Sequence, residues 1–203
     1  AGQQNEFNAV AGKLLEITPD DRGGIVCFAA CSFGEGASFV SYGVARALGL
    51  NLGRRVLWLD ANFLSPQAQL QAAAGPSLVE LLGRPERVSE LPDQQTITAM
   101  AAGTHLASHR ADLTSARFRE VARRLTAAFD FVVVDCPPIL EAVETGLLGG
   151  MTDGLVMVVE SRRLKHQVVN HAIAELRGSG VNVLGSVLNK RTFELPGFIY
   201  KRL

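Results

Sequence analysis

The segment spanning residues 25 to 39 combines the residue types that bind phosphate groups. An apolar run, Ile25-Val-Cys-Phe-Ala-Ala30, leads into the glycine-rich turn Cys31-Ser-Phe-Gly-Glu-Gly-Ala-Ser38, and a helical pattern follows. In the pattern G-x-x-x-x-G-K-[ST], backbone N–H groups hold phosphates, the lysine reaches the terminal phosphates, and the hydroxyl binds magnesium. The sequence therefore predicts a phosphate-binding loop between a strand and a helix.

The loop departs from this pattern at its charged position. Gly36 and Ser38 match, whereas Ala37 stands in the place of the lysine and Cys31 in the place of the first glycine. Loss of the lysine's charge-assisted hydrogen bonds to two phosphates weakens nucleotide binding by roughly 10- to 1000-fold. An arginine, Arg162 or Arg163, is the alternative source of that charge.

Two carboxylates close apolar runs elsewhere in the chain. Asp60 ends the predicted strand 55–60, and Asp135 ends the predicted strand 129–135. Ligands of open α/β sheets bind at the carboxyl ends of the strands, so both side chains should face the glycine loop. One carboxylate can organise magnesium while the other accepts a proton or positions a nucleophile. The three features together predict a Mg-nucleotide site.

The remaining segments alternate between amphipathic helices and apolar strands. Helices are predicted at 3–17, 38–51, 66–74, 77–82, 114–126, 140–149 and 164–178, and strands at 24–30, 55–60, 96–100, 129–135, 154–160 and 181–188. Strict alternation predicts an α/β fold with a doubly wound, mostly parallel sheet flanked by helices. Together with the glycine loop, this is the P-loop NTPase type of fold. We expect one domain over residues 1–203, with Phe39 packing the second helix against the sheet or, if it faces the pocket, obstructing it.

Composition excludes several classes of partner. Twenty basic residues balance twenty acidic ones, which argues against nucleic acid and against general adsorption to membranes. The three cysteines fall in or beside predicted core strands, which suits a reducing cytosol. No apolar run approaches the ~18 to 20 residues of a membrane-spanning helix. We therefore expect a cytoplasmic chain, whether complete or a fragment of a membrane protein.

Four segments resemble, in order and spacing, the bacterial tyrosine kinases of capsule and exopolysaccharide export, which belong to the deviant Walker A class of P-loop ATPases. These segments are Gly34-Glu-Gly36 with Ser38, Val56-Leu-Trp-Leu-Asp-Ala-Asn62, Val132-Val-Val-Asp-Cys-Pro-Pro138 and Val183-Leu-Gly-Ser-Val-Leu-Asn189. The resemblance covers nearly the whole chain and implies the fold of an ATP-dependent protein tyrosine kinase.

The resemblance also implies roles for individual residues. Mg-ATP or Mg-ADP would be the cofactor, Ser38 and Asp135 would serve the magnesium, Asp60 would be the catalytic base, and Asn189 would meet the adenine. The residues implied for phosphate and nucleotide binding in the loop are Gly34, Glu35, Gly36, Ala37, Ser38 and Phe39.

Several departures from the family pattern affect the chemistry. Ala37 replaces the phosphate lysine, Asn62 replaces the second Asp of the second Walker motif, and Ser32 stands near the position of the wider class's signature lysine. The whole chain has two tyrosines, Tyr42 and Tyr200, whereas the family has a tyrosine-rich tail as its substrate. These losses together favour a domain that kept the fold and gave up the phosphotransfer.

The motif that assembles the family's rings is reduced as well. Of E-x-x-R-x-x-R only Glu6 is present, with Ala9 and Gly12 in place of the arginines. We therefore expect a monomer or dimer.

The last segment, residues 190–203, is basic and aromatic and is interrupted by Pro196-Gly197. It predicts an amphipathic turn that docks to a membrane-embedded polysaccharide co-polymerase, to another protein of the export complex, or to the inner-membrane surface. A frayed end and packing on the domain are the alternatives.

The sequence thus favours a pseudokinase at the inner face of the plasma membrane, acting as a regulatory or scaffolding partner in exopolysaccharide or capsule assembly. The alternative is an active tyrosine kinase or weak ATPase in which an arginine replaces the lysine. A positioning ATPase bound to membrane or DNA is disfavoured by the missing signature lysine and the neutral charge.

Overall fold

A computed structural model describes residues 2–18, 24–64, 75–92, 96–103 and 106–191. Six strands form one sheet in the order β3-β2-β4-β1-β5-β6, and every ladder is parallel. The strands are β1 Gly24–Ala30, β2 Val56–Asp60, β3 Ile97–Ala101, β4 Phe131–Asp135, β5 Gly154–Glu160 and β6 Val183–Asn189. The predicted fold class is therefore confirmed, and the sheet is wholly parallel.

Helices cover both faces of this sheet. They are α1 Gly2–Ile17, α2 Ala37–Arg46, α3 Leu78–Gly83, α4 Arg110–Leu113, α5 Ala116–Ala128, α6 Val143–Gly150 and α7 His166–Gly178. A π-helical turn, Ala47–Asn51, extends α2, and 3-10 turns precede α4 and follow α3. The helix predicted at 66–74 lies outside the described residues.

Side-chain caps decide where two of these helices begin. The Ser77 hydroxyl accepts a hydrogen bond from the Glu80 N–H, and the Glu80 carboxylate accepts one from the Ser77 N–H, which confirms the predicted capping box. Ser115 caps α5 by accepting from the Arg117 N–H, so that helix begins two residues later than its periodicity predicted.

The core divides at the sheet because successive strand side chains point to opposite faces. Val26 and Phe28 of β1 pack with Trp58 beneath α1 and α2. Ile25 and Cys27 face the other layer, which contains α3 to α7. The central strands β1, β2 and β4 are buried along their whole length, which fixes the positions of the residues at their carboxyl ends.

Helix α1 packs on α2 through an aromatic side chain seated on a glycine. A Cβ added at Gly43 would lie 2.6 Å from ring atoms of Phe7. Phe39 meets Phe7 edge-on, with ring centroids 5.6 Å apart, and remains 53% exposed. The expectation that Phe39 packs α2 against the sheet was wrong, because it is the first outward-facing residue of α2 and contacts α1 instead.

None of the helices in the described part of the chain has the length and apolar character needed to cross a bilayer.

Candidate functional site

The glycine loop between β1 and α2 has the backbone conformation of an anion-binding nest. Gly34 and Gly36 have φ values of 83° and 91°, a left-handed conformation that glycine adopts without steric cost. Gly36 caps the N-terminus of α2, where the free N–H groups and the helix dipole favour a negative charge.

A cavity of about 190 Å³ lies over this loop. It is lined by Ala30, Ser32, Phe33, Gly34, Glu35, Gly36, Ala37, Ser38, Asn62, Cys136 and Pro138. Five of the residues implied for phosphate binding, Gly34 to Ser38, therefore lie at the cavity. Phe39 is not among its lining residues and does not obstruct it.

The buried carboxylate of Glu35 braces the loop. Its Oε1 accepts hydrogen bonds from the Ser32 N–H at 2.8 Å and from the Ser32 hydroxyl at 3.2 Å. Its Oε2 accepts from the Glu160 N–H at the end of β5, at 3.0 Å. Glu35 therefore ties the first turn of the loop to the neighbouring strand, a structural role that differs from direct phosphate contact.

The end of β6 provides a second brace. The Asn189 amide donates to the carbonyl of Glu35 at 2.8 Å, and the Lys190 ammonium donates to the carbonyl of Gly34 at 2.6 Å. A Cβ at Gly36 would overlap the Asn189 amide, so glycine is required there for close approach as well as for its φ value. Lys190 was expected to belong to the tail, and its contact with Gly34 was not predicted.

Asp60 and Asp135 are fully buried behind the loop, on adjacent strands. Asp60 Oδ1 accepts from the Asn62 N–H at 3.1 Å. Asp60 Oδ2, both Asp135 oxygens and Asn62 Oδ1 have no hydrogen-bond partner among the described residues. Buried oxygens without partners are costly, so this cluster is suited to a ligand that supplies positive charge or donors.

The same burial shifts the acidity of both carboxyl groups. Burial raises the pKa of Asp60 to about 6, although the Asn62 N–H lowers it in part. Burial also raises the pKa of Asp135 to about 7; the nearby Ser38 hydroxyl lowers it, the Asp60 charge raises it, and Ser41 lowers it. Neither serine hydroxyl reaches full hydrogen-bond geometry with Asp135.

Two serines connect the loop to the sheet. The Trp58 indole N–H donates to the Ser41 hydroxyl at 3.1 Å, and that hydroxyl donates to the carbonyl of Ser38 at 3.1 Å. These two hydrogen bonds hold the first turn of α2, and with it Ser38, against β2.

Two basic side chains lie beside Gly34. The Arg163 guanidinium and the Lys190 ammonium both pair with Oε2 of Glu160, at 2.9 and 3.2 Å. A Cβ at Gly34 would lie 2.8 Å from Nη1 of Arg163, so this arginine covers the loop at that residue. Arg162 has a left-handed φ of 64°.

These residues fit a Mg-phosphate group. The loop presents backbone N–H groups to an anion, and Ser38 with the partnerless carboxylates presents oxygens of the kind that magnesium prefers. One carboxylate and one hydroxyl would leave the remaining magnesium positions to phosphate and water, as is usual for this ion.

Curated relatives of the chain are bacterial tyrosine-protein kinases. The chain is 26% identical over 171 residues to the tyrosine-protein kinase YwqD of Bacillus subtilis, covering 81% of this chain and 71% of YwqD. It is 32% identical over 78 residues to CpsD of Streptococcus agalactiae, covering 38% of this chain and 34% of CpsD. No family model matches the chain.

Another relative is much longer than the matched region. The chain is 28% identical over 174 residues to the succinoglycan biosynthesis transport protein ExoP of Rhizobium meliloti, and this match covers 82% of the chain but 22% of ExoP.

Solved structures support the same fold. The kinase domain of the Escherichia coli tyrosine kinase ETK superposes with a TM-score of 0.78 at 19% identity, covering 94% of this chain and 77% of that domain. The VpsO kinase domain gives a TM-score of 0.77 at 21% identity, covering 94% and 95%. A cobyrinic acid a,c-diamide synthase from Mycobacterium smegmatis with bound ADP and magnesium gives 0.63 at 20% identity, covering 81% and 71%. The motifs, these relatives and this fold agree, and the chain is a relative of the bacterial tyrosine-protein kinases.

Proposed function

We propose that this chain is a single tyrosine-kinase-like P-loop domain that has lost phosphotransfer and acts as a regulatory or scaffolding partner in exopolysaccharide or capsule assembly. The observation that supports this most strongly is Ala37, which places a methyl group where the family has its phosphate lysine, in a loop that keeps Gly34, Gly36 and Ser38. Loss of transition-state charge stabilisation of this kind reduces rates by about 10²-fold or more.

The neighbouring cations do not restore the missing charge in this conformation. Arg163 and Lys190 both pair with Glu160, and Lys190 also donates to the carbonyl of Gly34. Moving either group to a phosphate would break these contacts. This favours the pseudokinase over an active kinase in which an arginine replaces the lysine.

The site still supports weak nucleotide binding in this proposal. The loop N–H groups would hold a diphosphate, while Ser38 and Asp135 would hold Mg²⁺, which neutralises phosphate charge when bound. Asp60 would stand as the base, with its pKa raised by burial to about 6, so it is largely ionised at neutral pH and able to accept a proton. What the site lacks is the cation for the terminal phosphate and, in the chain itself, a cluster of tyrosine acceptors.

The test is a turnover assay. Purified protein with Mg-ATP should release no phosphate above the buffer rate and form no phosphotyrosine. Turnover that Asp60→Ala abolishes would contradict the proposal, because it would show catalysis at this site.

The partner we propose is a membrane-embedded polysaccharide co-polymerase or another protein of the export complex, with the domain on the cytoplasmic face. Support comes from ExoP, whose name assigns it to succinoglycan biosynthesis transport. We further propose that the segment after Asn189 makes this contact. Residues 192–203 lie outside the described residues.

Deletion of residues 191–203 tests the contact. The deletion should abolish co-purification with the membrane fraction while the thermal midpoint changes little. Unfolding of the truncated chain together with an unaffected membrane fraction would show that the segment belongs to the core.

A further inference from the structure

The candidate site has an anion-binding side, the loop that contains Ala37, and a side formed by buried hydrogen-bond acceptors. On the first side the loop N–H groups are held in place by Glu35, Asn189 and Lys190. This brace is made entirely by protein groups, so the nest exists without a ligand.

The other side is made of an amide oxygen, which only accepts hydrogen bonds, and of carboxyl oxygens, which cannot donate when ionised. Four buried oxygens, Asp60 Oδ2, Asn62 Oδ1 and both of Asp135, have no partner among the described residues. Asn62 lines the cavity, and Asp135 lies beside Ser38 at the start of α2. In a lysine-containing loop an ammonium would stand between such oxygens and a terminal phosphate, whereas Ala37 leaves a methyl group there.

The loss of the lysine affects a nucleoside diphosphate and a nucleoside triphosphate differently. The loop amides serve the inner phosphates and need no lysine. Among the described residues, the basic side chains beside the loop, Arg163 and Lys190, are paired with Glu160. The added charge of a terminal phosphate is therefore left to the metal. A triphosphate therefore brings an additional negative charge towards these oxygens without gaining a contact to a side-chain cation.

We propose that this site is selective for a nucleoside diphosphate over the corresponding triphosphate, an inference that rests on the proposed function. Kinases that use ATP must bind the triphosphate productively, so this selectivity would make the domain a sensor of the diphosphate form. We expect Mg-ADP to bind at least about ten-fold more tightly than a non-hydrolysable Mg-ATP analogue, which is a difference of about 1.4 kcal/mol.

The experiment is calorimetric titration of the full chain with Mg-ADP and with the analogue. Ala37→Lys should bring the two dissociation constants together or reverse their order, because it restores the ammonium to its place in the loop. Ala127→Lys is the matched control, since it adds the same charge on the exposed last turn of α5, at the opposite end of the sheet, and should leave the ratio unchanged.

Equal affinities, tighter binding of the analogue, or no binding of either nucleotide by the wild-type chain would each overturn the inference. So would a ratio that Ala37→Lys leaves unchanged in a folded variant. If that variant does not fold, the wild-type ratio alone decides. The analogue cannot turn over, so this result is independent of the turnover assay that tests the proposed function.

Discussion

Asp60 and Asp135 stand opposite each other at the carboxyl ends of adjacent parallel strands, as register partners of β2 and β4. Both side chains are fully buried, and three of their four carboxyl oxygens have no partner among the described residues. The topology therefore places two acids side by side in a region where water cannot stabilise their charges, which raises the pKa of both groups.

The first prediction concerns stability and pH. Burial raises the pKa values of Asp60 and Asp135 to about 6 and about 7, so the folded state keeps protons that the unfolded state has already released. The free energy of unfolding should therefore fall as the pH rises from about 4 to about 7. Asp135→Asn should remove part of this slope and be more stable than the wild type at pH 8 by roughly 1 to 4 kcal/mol.

Urea denaturation between pH 4 and pH 8 measures this effect. Glu86→Gln, at an exposed position on the turn after α3, is the control and should keep the wild-type slope. Identical slopes for Asp135→Asn and the wild type would contradict the assignment. Adding Mg²⁺ should stabilise the wild type more at pH 8 than at pH 5, because only ionised carboxylates bind the ion.

The second prediction concerns the brace on the loop. Glu35→Ala removes an acceptor that serves the partly buried N–H groups of Ser32 and Glu160. We expect a loss of about 1.5 to 3 kcal/mol in the free energy of unfolding, measured by urea denaturation. Glu86→Ala should change it by less than about 0.5 kcal/mol. A neutral result at Glu35 would show that these hydrogen bonds do not hold the loop.

The third prediction concerns the contact between α1 and α2. Gly43→Ala places a methyl group within 2.6 Å of the outer atoms of the Phe7 ring. Overpacking of this kind typically costs about 1 to 3 kcal/mol. The double variant Gly43→Ala/Phe7→Leu should lose less free energy of unfolding than the sum of the losses in the two single variants. Additive effects would show that Phe7 does not rest on Gly43.

The fourth prediction concerns assembly. With Ala9 and Gly12 in place of the family's arginines, the chain should run as a monomer or dimer in light scattering. Ala9 is exposed on α1, and a Cβ at Gly12 would meet nothing within 4 Å, so arginines fit at both positions. If the motif alone limits assembly, the double variant Ala9→Arg/Gly12→Arg should form larger particles. A stable ring of the wild-type chain at micromolar concentration would contradict the prediction.

The sequence was sufficient to predict the parallel sheet and the proximity of Asp60 and Asp135. Apolar runs that end in a carboxylate identify central parallel strands, and the rule that ligands bind at the carboxyl ends then brings Asp60 and Asp135 to one place without any knowledge of the coordinates. Ser77 and Glu80 fixed the start of α3 because a capping box is local in the chain.

The contacts of the loop could not be predicted in the same way. Glu35 meets the end of β5 and Lys190 meets Gly34, and these pairs are separated by more than 120 residues along the chain. Residue type and spacing do not specify such partners. Phe39 was misplaced for a related reason, because the position of α1 over α2 depends on the Phe7 and Gly43 contact, which periodicity does not show.

The brace formed by Glu35, Asn189 and Lys190 determines when the loop loses its conformational freedom. Because protein groups alone hold the loop, its backbone entropy is lost during folding, before any ligand arrives. Association then orders little additional chain, which preserves affinity in a site that lacks its strongest cation. In calorimetry, nucleotide binding should accordingly show a small heat-capacity change and no large unfavourable entropy, whereas Glu35→Ala should add an entropic penalty.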